Sequence, residues 1–199
     1  MINKNISLRE YTAPIIDRRE VLRYAGVRES DESIEYLLDR CIAEASDKIT
    51  YKLCYREFDI SITEDEMNLG FAKTRSELLK KRLLGCNKIV LFCATVGQDI
   101  DRIIAKHSIT SPSTAVIMQA LGSERVEALC DAFCDEMKNK YGDITSRFSP
   151  GYGDLPLSLQ KDIFLALEPT KLLGVTLNSD LFMTPPKTVT AIIGIKCKR

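Results

Sequence analysis

The sequence predicts an α+β fold, in which helices pack around a sheet rich in antiparallel strands. Some segments carry apolar residues at helical spacing, whereas others alternate or form short apolar runs, as strands do. The two kinds of segment are mixed without the strand–helix–strand rhythm of a parallel α/β fold. The chain has 199 residues, 45% of them hydrophobic, which suffices for one sizeable core. We therefore expect a single domain over residues 1–199, with an N-terminal part (1–85) and a core (88–195).

The balance of charge argues against several classes of function. The chain carries 28 Lys and Arg residues against 28 Asp and Glu residues. Because basic residues are not in excess, we expect no nucleic-acid partner. No apolar run approaches the roughly 20 residues of a membrane span, and the N-terminus lacks the apolar core of a secretory signal. These features predict a cytoplasmic protein that does not contact a membrane.

Two helices are expected near the N-terminus. Residues 15–25 have the composition of a short helix that Gly26 closes. Ser30 then offers an N-cap, because acidic residues follow it in the first turn. Apolar residues recur at helical spacing over 34–45, so the second helix is expected to have four or more turns.

A strand region and a third helix complete the N-terminal part. Residues 51–62 alternate as strands do, but the phase changes near Glu57. This change indicates a bulge, or a turn between two short strands. Residues 74–84 are expected to form a helix that stops at Gly85.

The core begins with a strand that turns into a helix. Residues 88–94 form a continuous apolar run, which is typical of a buried strand. Gly97 then leads into a helix with three isoleucines over 100–104 on one face. Such a turn can hold a phosphate on the helix N-terminus, but the glycine patterns of phosphate sites are missing here. We interpret Gly97 as a structural elbow.

The longest predicted helix covers about 112–140. Gly122 lies inside it and costs about 1 kcal/mol relative to alanine. Either a break between two helices or a close contact would explain this glycine. Glu127, Asp131 and Asp135 repeat every four residues along one side of the helix.

The C-terminal part is expected to end in a strand. Ser158 has the position of an N-cap for a helix that runs to residue 167, and a short helix is expected over 170–175. Residues 178–186 have the composition of a loop, and apolar residues alternate over 189–195.

Cysteines and the single histidine give little support for metal or nucleophilic chemistry. No C-x-x-C pair occurs, so buried thiols are the default interpretation. Cys130 and Cys134 lie one helical turn apart, but no nearby Cys or His completes four zinc ligands. His107 follows a run of helix formers and lies in no nucleophile motif. We expect no metal site and no catalytic residue. The seven cysteines are Cys41, Cys54, Cys86, Cys93, Cys130, Cys134 and Cys197.

Residues 147–156 form the segment with the strongest functional signal. Pro150 restricts one backbone angle and Gly151 frees the next, so the backbone has a defined shape. Arg147 could hold a carboxylate through two parallel hydrogen bonds, and Tyr152 offers a ring and a hydroxyl. Together they suit a small zwitterionic or nucleoside-like ligand. From the residues alone, however, a Pro-Gly turn beside a surface arginine is the favoured interpretation.

This segment resembles a known family. The pattern Arg-x-x-Pro-Gly-Tyr, then a helix and a proline-bearing loop before a last strand, is similar to the activation domain of cobalamin-dependent methionine synthase. Cys-Ala-Thr-Val-Gly at 93–97 and the stretch 122–131 also resemble that family. The resemblance covers about 88–195 firmly and 15–85 more faintly. It implies that the chain acts as a separate activation subunit.

The resemblance also implies a binding site for S-adenosylmethionine. Arg147 matches the arginine that holds the ligand's carboxylate, and Ser149, Pro150, Gly151 and Tyr152 match the stretch whose backbone lines the ligand. Glu127 aligns with an acidic ligand contact, although it could equally belong to a solvated acidic stripe. An aspartate near the start of the family's domain has no matched counterpart here. The long form of the family also continues past the last strand.

The implied function is the reactivation of methionine synthase. An electron from a flavodoxin-like donor would reduce cob(II)alamin on a partner protein, and the methyl group of S-adenosylmethionine would then be transferred to it. The chain would bind and orient the methyl donor. Two alternatives stay open at this point. The chain could be a partner-binding or regulatory module that does not bind S-adenosylmethionine, or an activator of another corrinoid methyltransferase.

Overall fold

The computed structural model describes residues 6–196, which form strands and helices in mixed order. The strands are β1 (Ser7–Glu10), β2 (Lys52–Asp59), β3 (Ser61–Ile62), β4 (Met67–Asn68), β5 (Lys73–Thr74), β6 (Cys86–Thr95), β7 (Thr176–Leu177), β8 (Met183–Thr184) and β9 (Thr188–Lys196). The helices are α1 (Arg18–Tyr24), α2 (Glu32–Ala45), α3 (Glu77–Arg82), α4 (Asp99–Thr110), α5 (Pro112–Tyr141), α6 (Gln160–Leu167) and α7 (Pro169–Leu173). A short 3-10 helix, Leu157–Leu159, precedes α6.

The central sheet has four strands in the order β1-β2-β6-β9, and every neighbouring pair is antiparallel. The pairing of β6 with β9 runs from Thr95 opposite Thr188 to Cys86 opposite Lys196. The strands therefore come from both the N-terminal part and the core of the chain. This arrangement confirms the predicted α+β fold with an antiparallel sheet.

Helices cover both faces of the central sheet. On one face, Leu53 and Phe92 belong to a core that includes residues of α1, α2, α4 and α5. On the other face, Cys54 and Leu91 pack with residues of α3, α6 and α7. Because both faces are buried, the strand at 88–94 is apolar almost throughout and does not alternate. No helix in residues 6–196 is long and apolar enough to span a bilayer.

The long helix α5 continues through Gly122 without a break. A β-carbon on Gly122 would lie 3.1 Å from Cε of Lys187 and 3.2 Å from Cγ1 of Ile100. Close contact is thus the correct explanation for this glycine, and a break between two helices is wrong. The absence of a side chain lets the Lys187 stem and α4 approach the α5 backbone.

The N-cap of α2 differs from the prediction. The side chain of Asp31, and not that of Ser30, accepts a hydrogen bond from the backbone N–H of Ile34 at 2.9 Å. The Ser30 hydroxyl instead donates to the carboxylate of Glu35. A carboxylate is the stronger acceptor and also interacts favourably with the positive end of the helix dipole.

The predicted irregularity near Glu57 is also wrong. Strand β2 pairs with β6 in one register along its whole length, and the chain leaves the strand only at Ile60. Tyr55 packs into the core on the α5 side of the sheet, whereas Phe58 packs on the opposite side. The apparent change of phase arises because different layers cover the two halves of the strand.

Several helix boundaries are shifted from the predicted positions. The first and third helices each begin three residues later than expected, after the capping side chains of Asp17 and Ser76. Ser158 does not cap a helix, since it lies within the 3-10 helix, and α6 begins at Gln160 without a side-chain cap. Part of the predicted loop at 178–186 forms β8, which pairs with β7.

Substitution of Gly194 tests how closely neighbouring side chains pack against β9. A β-carbon there would lie 2.7 Å from Sγ of Cys86, 2.7 Å from Cδ2 of Leu83 and 2.9 Å from Cγ2 of Thr145. Gly194→Ala is therefore expected to lower the free energy of unfolding by about 1–3 kcal/mol through overpacking. Urea denaturation measures this change, and an unaltered transition midpoint would contradict the close packing.

Candidate ligand-binding site

The segment after α5 places Arg147 beside the central sheet. The backbone N–H of Thr145 donates to the carbonyl of Gly194 at 2.9 Å, and Phe148 exchanges two 2.9 Å hydrogen bonds with Ile192. The segment thus extends the sheet beyond β9, and successive side chains point to opposite faces. Phe148 enters the core on the α3 and α6 side, while Arg147 reaches towards α5.

Two carboxylates of α5 bind the guanidinium of Arg147. Its Nη2 donates to Oε2 of Glu127, and its Nη1 donates to Oδ1 of Asp131. Burial lowers the pKa of Arg147, but the hydrogen bond to Asp131 and the surrounding groups outweigh this effect, so the pKa is raised. The Arg147 side chain is 25% exposed and that of Asp131 is 69% exposed. Water therefore screens these pairs, and they contribute little to stability.

A cavity of about 510 Å³ opens beside Arg147, between α5 and the segment that leads into α1. We call it the acidic cavity, because six carboxylates and one guanidinium line it. Such an excess of negative charge favours a ligand with cationic groups. Its lining residues are Pro14, Ile15, Asp17, Glu20, Tyr24, Glu124, Glu127, Ala128, Asp131, Ala132, Asp135 and Arg147.

A buried ion pair attaches the N-terminal wall of the acidic cavity to α5. Glu124 and Arg125 are only 3% and 1% exposed, and Nε of Arg125 donates to Oε2 of Glu124 at 2.5 Å. Arg125 also donates to the carbonyls of Pro14 at 2.6 Å and Ile15 at 2.9 Å. The backbone N–H of Asp17 donates to Glu124 at 3.1 Å. These bonds hold the segment in place, so that Asp17 lines the cavity.

A second cavity, of about 580 Å³, lies on the other side of the motif. We call it the apolar cavity, since most of its lining side chains are apolar. Ser149 and Pro150 contribute to one wall, and the loop that includes Phe182 contributes to another. Its lining residues are Ser149, Pro150, Leu157, Gln160, Leu181, Phe182, Met183, Thr184, Pro186, Thr188, Val189 and Thr190.

Residues 149–155, here called the Pro-Gly-Tyr turn, have a defined backbone. Gly151 has a φ of +84°, which favours glycine, and its N–H donates to the carbonyl of Leu155 at 2.9 Å. Tyr152 is 70% exposed, and its ring meets that of Phe148 edge-on at 5.8 Å between centroids. Hydrogen bonds within the turn therefore contribute to its shape, while Tyr152 stays open to solvent.

The structure divides the six predicted site residues between the two cavities. Arg147 and Glu127 form an ion pair in the acidic cavity, whereas Ser149 and Pro150 line the apolar cavity. Residues 151–152 belong to the turn and line neither of the two cavities. The acidic stripe on α5 lines the acidic cavity, and two of its members, Glu127 and Asp131, bind Arg147. Whether these residues bind a ligand remains a prediction.

Sequence reasoning missed two residues that the structure adds to the site. Asp17 lines the acidic cavity, and its side chain accepts a hydrogen bond from the N–H of Glu20 at 3.1 Å. An Asp-x-x-Glu pattern is visible in the sequence, but it marks only the start of a helix. Phe182 lines the apolar cavity and is 68% exposed. Its contribution depends on the pairing of β7 with β8, which the sequence does not indicate.

The thiols nearest the site are buried or partly buried, and Cys134 has a side-chain hydrogen bond with Arg147. Cys93 and Cys130, the two thiols that could have approached a ligand, are fully buried. Burial raises the pKa of both thiols, so they stay protonated. In the described part of the chain, no group of three or more His, Cys, Asp or Glu side chains could hold a metal ion. Cys197 lies outside the described residues.

Gly97 and His107, which the sequence analysis also considered, make contacts within the protein. Gly97 has a φ of +80°, and its N–H donates to the Thr95 hydroxyl at 3.2 Å. A β-carbon on Gly97 would lie 2.7 Å from Oγ1 of Thr50, as expected for a structural elbow. His107 on α4 lies with Nε2 2.9 Å from Oε2 of Glu44 on α2, so it joins two helices.

Comparison with known proteins gives a structural match and no sequence match. No protein-family model matches the chain, and a search of curated proteins finds no match. Among solved structures, the chain is similar to a crystal structure of the MetH reactivation domain bound to AdoHcy. The TM-score is 0.72 at 13% sequence identity, and the match covers 98% of this chain and 80% of that one. The chain thus has the fold of the MetH reactivation domain.

Proposed function

We propose that this chain binds S-adenosylmethionine and supports the reductive remethylation of cob(II)alamin on a cobalamin-dependent methionine synthase. Arg147 carries the proposal, because it lies on the wall of an acidic cavity and directly before the Pro-Gly-Tyr turn. The similar structure, a reactivation domain with AdoHcy bound, supports it at the level of the fold. The cobalamin would be carried by a partner protein.

The charges of the acidic cavity suit the amino-acid end of this ligand. S-adenosylmethionine carries one carboxylate and two cationic groups, an ammonium and a sulfonium. Its carboxylate would bind Arg147 in place of the carboxylates of α5, so that two charge-assisted hydrogen bonds to the ligand replace those to Glu127 and Asp131. The cationic groups would be stabilised by acidic side chains such as Asp17 and Glu127, which line the same cavity. Asp17 is our candidate for the aspartate near the start of the family's domain.

The apolar cavity suits the adenosine end. Its volume of about 580 Å³ lies within the usual range for small-molecule sites, roughly 300–1,000 Å³. Pro150 and Phe182 offer apolar surface for the adenine, and the Ser149 backbone lies at the same wall. Because Arg147 precedes Ser149 by two residues, a ligand that bridges both cavities would pass along the motif.

The proposed reaction requires that the methyl donor be oriented, but it requires no proton transfer. One electron from a flavodoxin-like donor would reduce cob(II)alamin on the partner protein to the nucleophile. Direct displacement at the methyl carbon would then form methylcobalamin and release AdoHcy. No proton leaves the methyl donor, so alignment is the contribution that the chain can make. Tyr152 and Phe182 are both exposed, which leaves room for a large partner at the site. We assign no catalytic residue to this chain.

Calorimetric titration with S-adenosylmethionine tests the proposal. We expect saturable binding with one site per chain, and competition by AdoHcy. The titration is then repeated with a cobalamin-dependent methionine synthase that lacks its own activation domain. Absence of binding both with and without that partner would contradict the proposal. Retained association with the partner would then favour a docking module, and association only with another corrinoid protein would favour an activator of a different methyltransferase.

A further inference from the structure

Helix α3 contacts the Pro-Gly-Tyr turn at the end of the turn that is farther from Arg147 in sequence. The carboxylate of Asp154 accepts hydrogen bonds from the backbone N–H of Glu77 at 2.7 Å and of Leu78 at 3.3 Å. It also accepts one from the hydroxyl of Ser76, the N-cap residue of α3. One side chain of the turn therefore binds three donors at the start of a helix more than 70 residues earlier in the chain.

Packing supports the same contact. Gly153 has a φ of +58°, and a β-carbon there would lie 2.3 Å from Cδ1 of Leu78. The turn thus approaches α3 as closely as a glycine allows. At the other end of α3, Arg82 donates to the Ser146 hydroxyl and lies 5.3 Å from the ring centroid of Phe148. Helix α3 therefore contacts the turn itself and the residues that precede it.

We propose that Asp154 is a positioning residue, which joins the Pro-Gly-Tyr turn to α3 and so holds the turn in its ligand-binding shape. The inference rests on the proposed function, because it assigns a purpose to the turn's shape. Asp154 lines neither the acidic cavity nor the apolar cavity, so it would act through the backbone that it anchors. Without the anchor, Gly151 and Gly153 would give the turn many alternative conformations.

The experiment compares Asp154→Ala with Asp154→Asn, which keeps a carbonyl oxygen as acceptor. If only about a tenth of the Asp154→Ala molecules hold the turn in its binding shape, affinity for S-adenosylmethionine falls about tenfold. Asp154→Asn is expected to recover part of this loss. Asp47→Ala, which changes an exposed aspartate after the end of α2, is the matched control and should bind as the wild type does.

Amide hydrogen exchange without ligand supplies an independent measurement. In Asp154→Ala we expect faster exchange at Gly151, whose N–H is bonded within the turn, and unchanged exchange in the central sheet. Unchanged exchange at Gly151 would overturn the anchoring role. Faster exchange with wild-type affinity would overturn the positioning role. If the wild-type chain binds S-adenosylmethionine neither alone nor with the partner protein, the proposed function fails together with the positioning role, whereas the exchange data still report whether Asp154 anchors the turn.

Discussion

Replacing Arg147 with alanine is expected to weaken the binding of S-adenosylmethionine strongly. The variant loses two charge-assisted hydrogen bonds to the ligand's carboxylate, which should cost about 2–4 kcal/mol. This range corresponds to an affinity about 30-fold to about 900-fold lower. The loss of Arg147 also leaves Glu127 and Asp131 without their shared cation. These two carboxylates would then repel the carboxylate of the ligand and weaken binding further. Calorimetric titration of the two proteins measures the difference.

Arg147→Ala should weaken ligand binding without a large loss of stability. Arg147, Glu127 and Asp131 are all partly exposed, so loss of these pairs should change the free energy of unfolding by about 1 kcal/mol or less. Arg102→Ala is the matched control, since Arg102 pairs with Asp99 on the exposed side of α4. Equal binding by wild type and Arg147→Ala would place the ligand's carboxylate elsewhere, while leaving S-adenosylmethionine binding itself intact.

Replacing Arg125 with methionine is expected to cause the largest loss of stability. Arg125 is 1% exposed, and its removal would leave the carboxylate of Glu124 buried without its cation. The carbonyls of Pro14 and Ile15 would lose their donors as well. Breaking a buried pair in this way costs about 3–5 kcal/mol, a large share of the roughly 5–15 kcal/mol of a typical domain. Urea denaturation followed by circular dichroism measures the change.

A double variant identifies the cause of the lower stability of Arg125→Met. Adding Glu124→Gln to Arg125→Met removes the unpaired charge, so the double variant should be more stable than Arg125→Met alone by about 1 kcal/mol or more. An Arg125→Met protein within about 1 kcal/mol of the wild type would show that water reaches Glu124. A double variant no more stable than the single one would assign the loss to packing and to the two carbonyls.

The sequence predicted the helices and long strands because their residues decide them locally. Periodic apolar residues and closing glycines such as Gly26 act over a few turns of chain, so they can be read without knowledge of the fold. Two other signals in the sequence depend on distant segments. The phase change near Glu57 reflects the layers that cover β2, and Gly122 is explained by Lys187, which is 65 residues away. Neither signal is local.

The candidate site also combines local features, which the sequence shows, with contacts between distant segments, which it does not. The sequence singled out the motif from Arg147 to Tyr152 as chemically distinctive, because it combines a proline, a flexible glycine and a bidentate cation. The prediction that this motif binds a ligand came from the family resemblance. Only the tertiary structure showed that Asp17 shares a cavity with Arg147, and that Asp154 is bonded to the start of α3. Charge and backbone freedom are properties of individual residues, so the sequence determines them. Which carboxylates meet a given cation depends on how the helices pack on the sheet, and that is decided only when the whole core has formed.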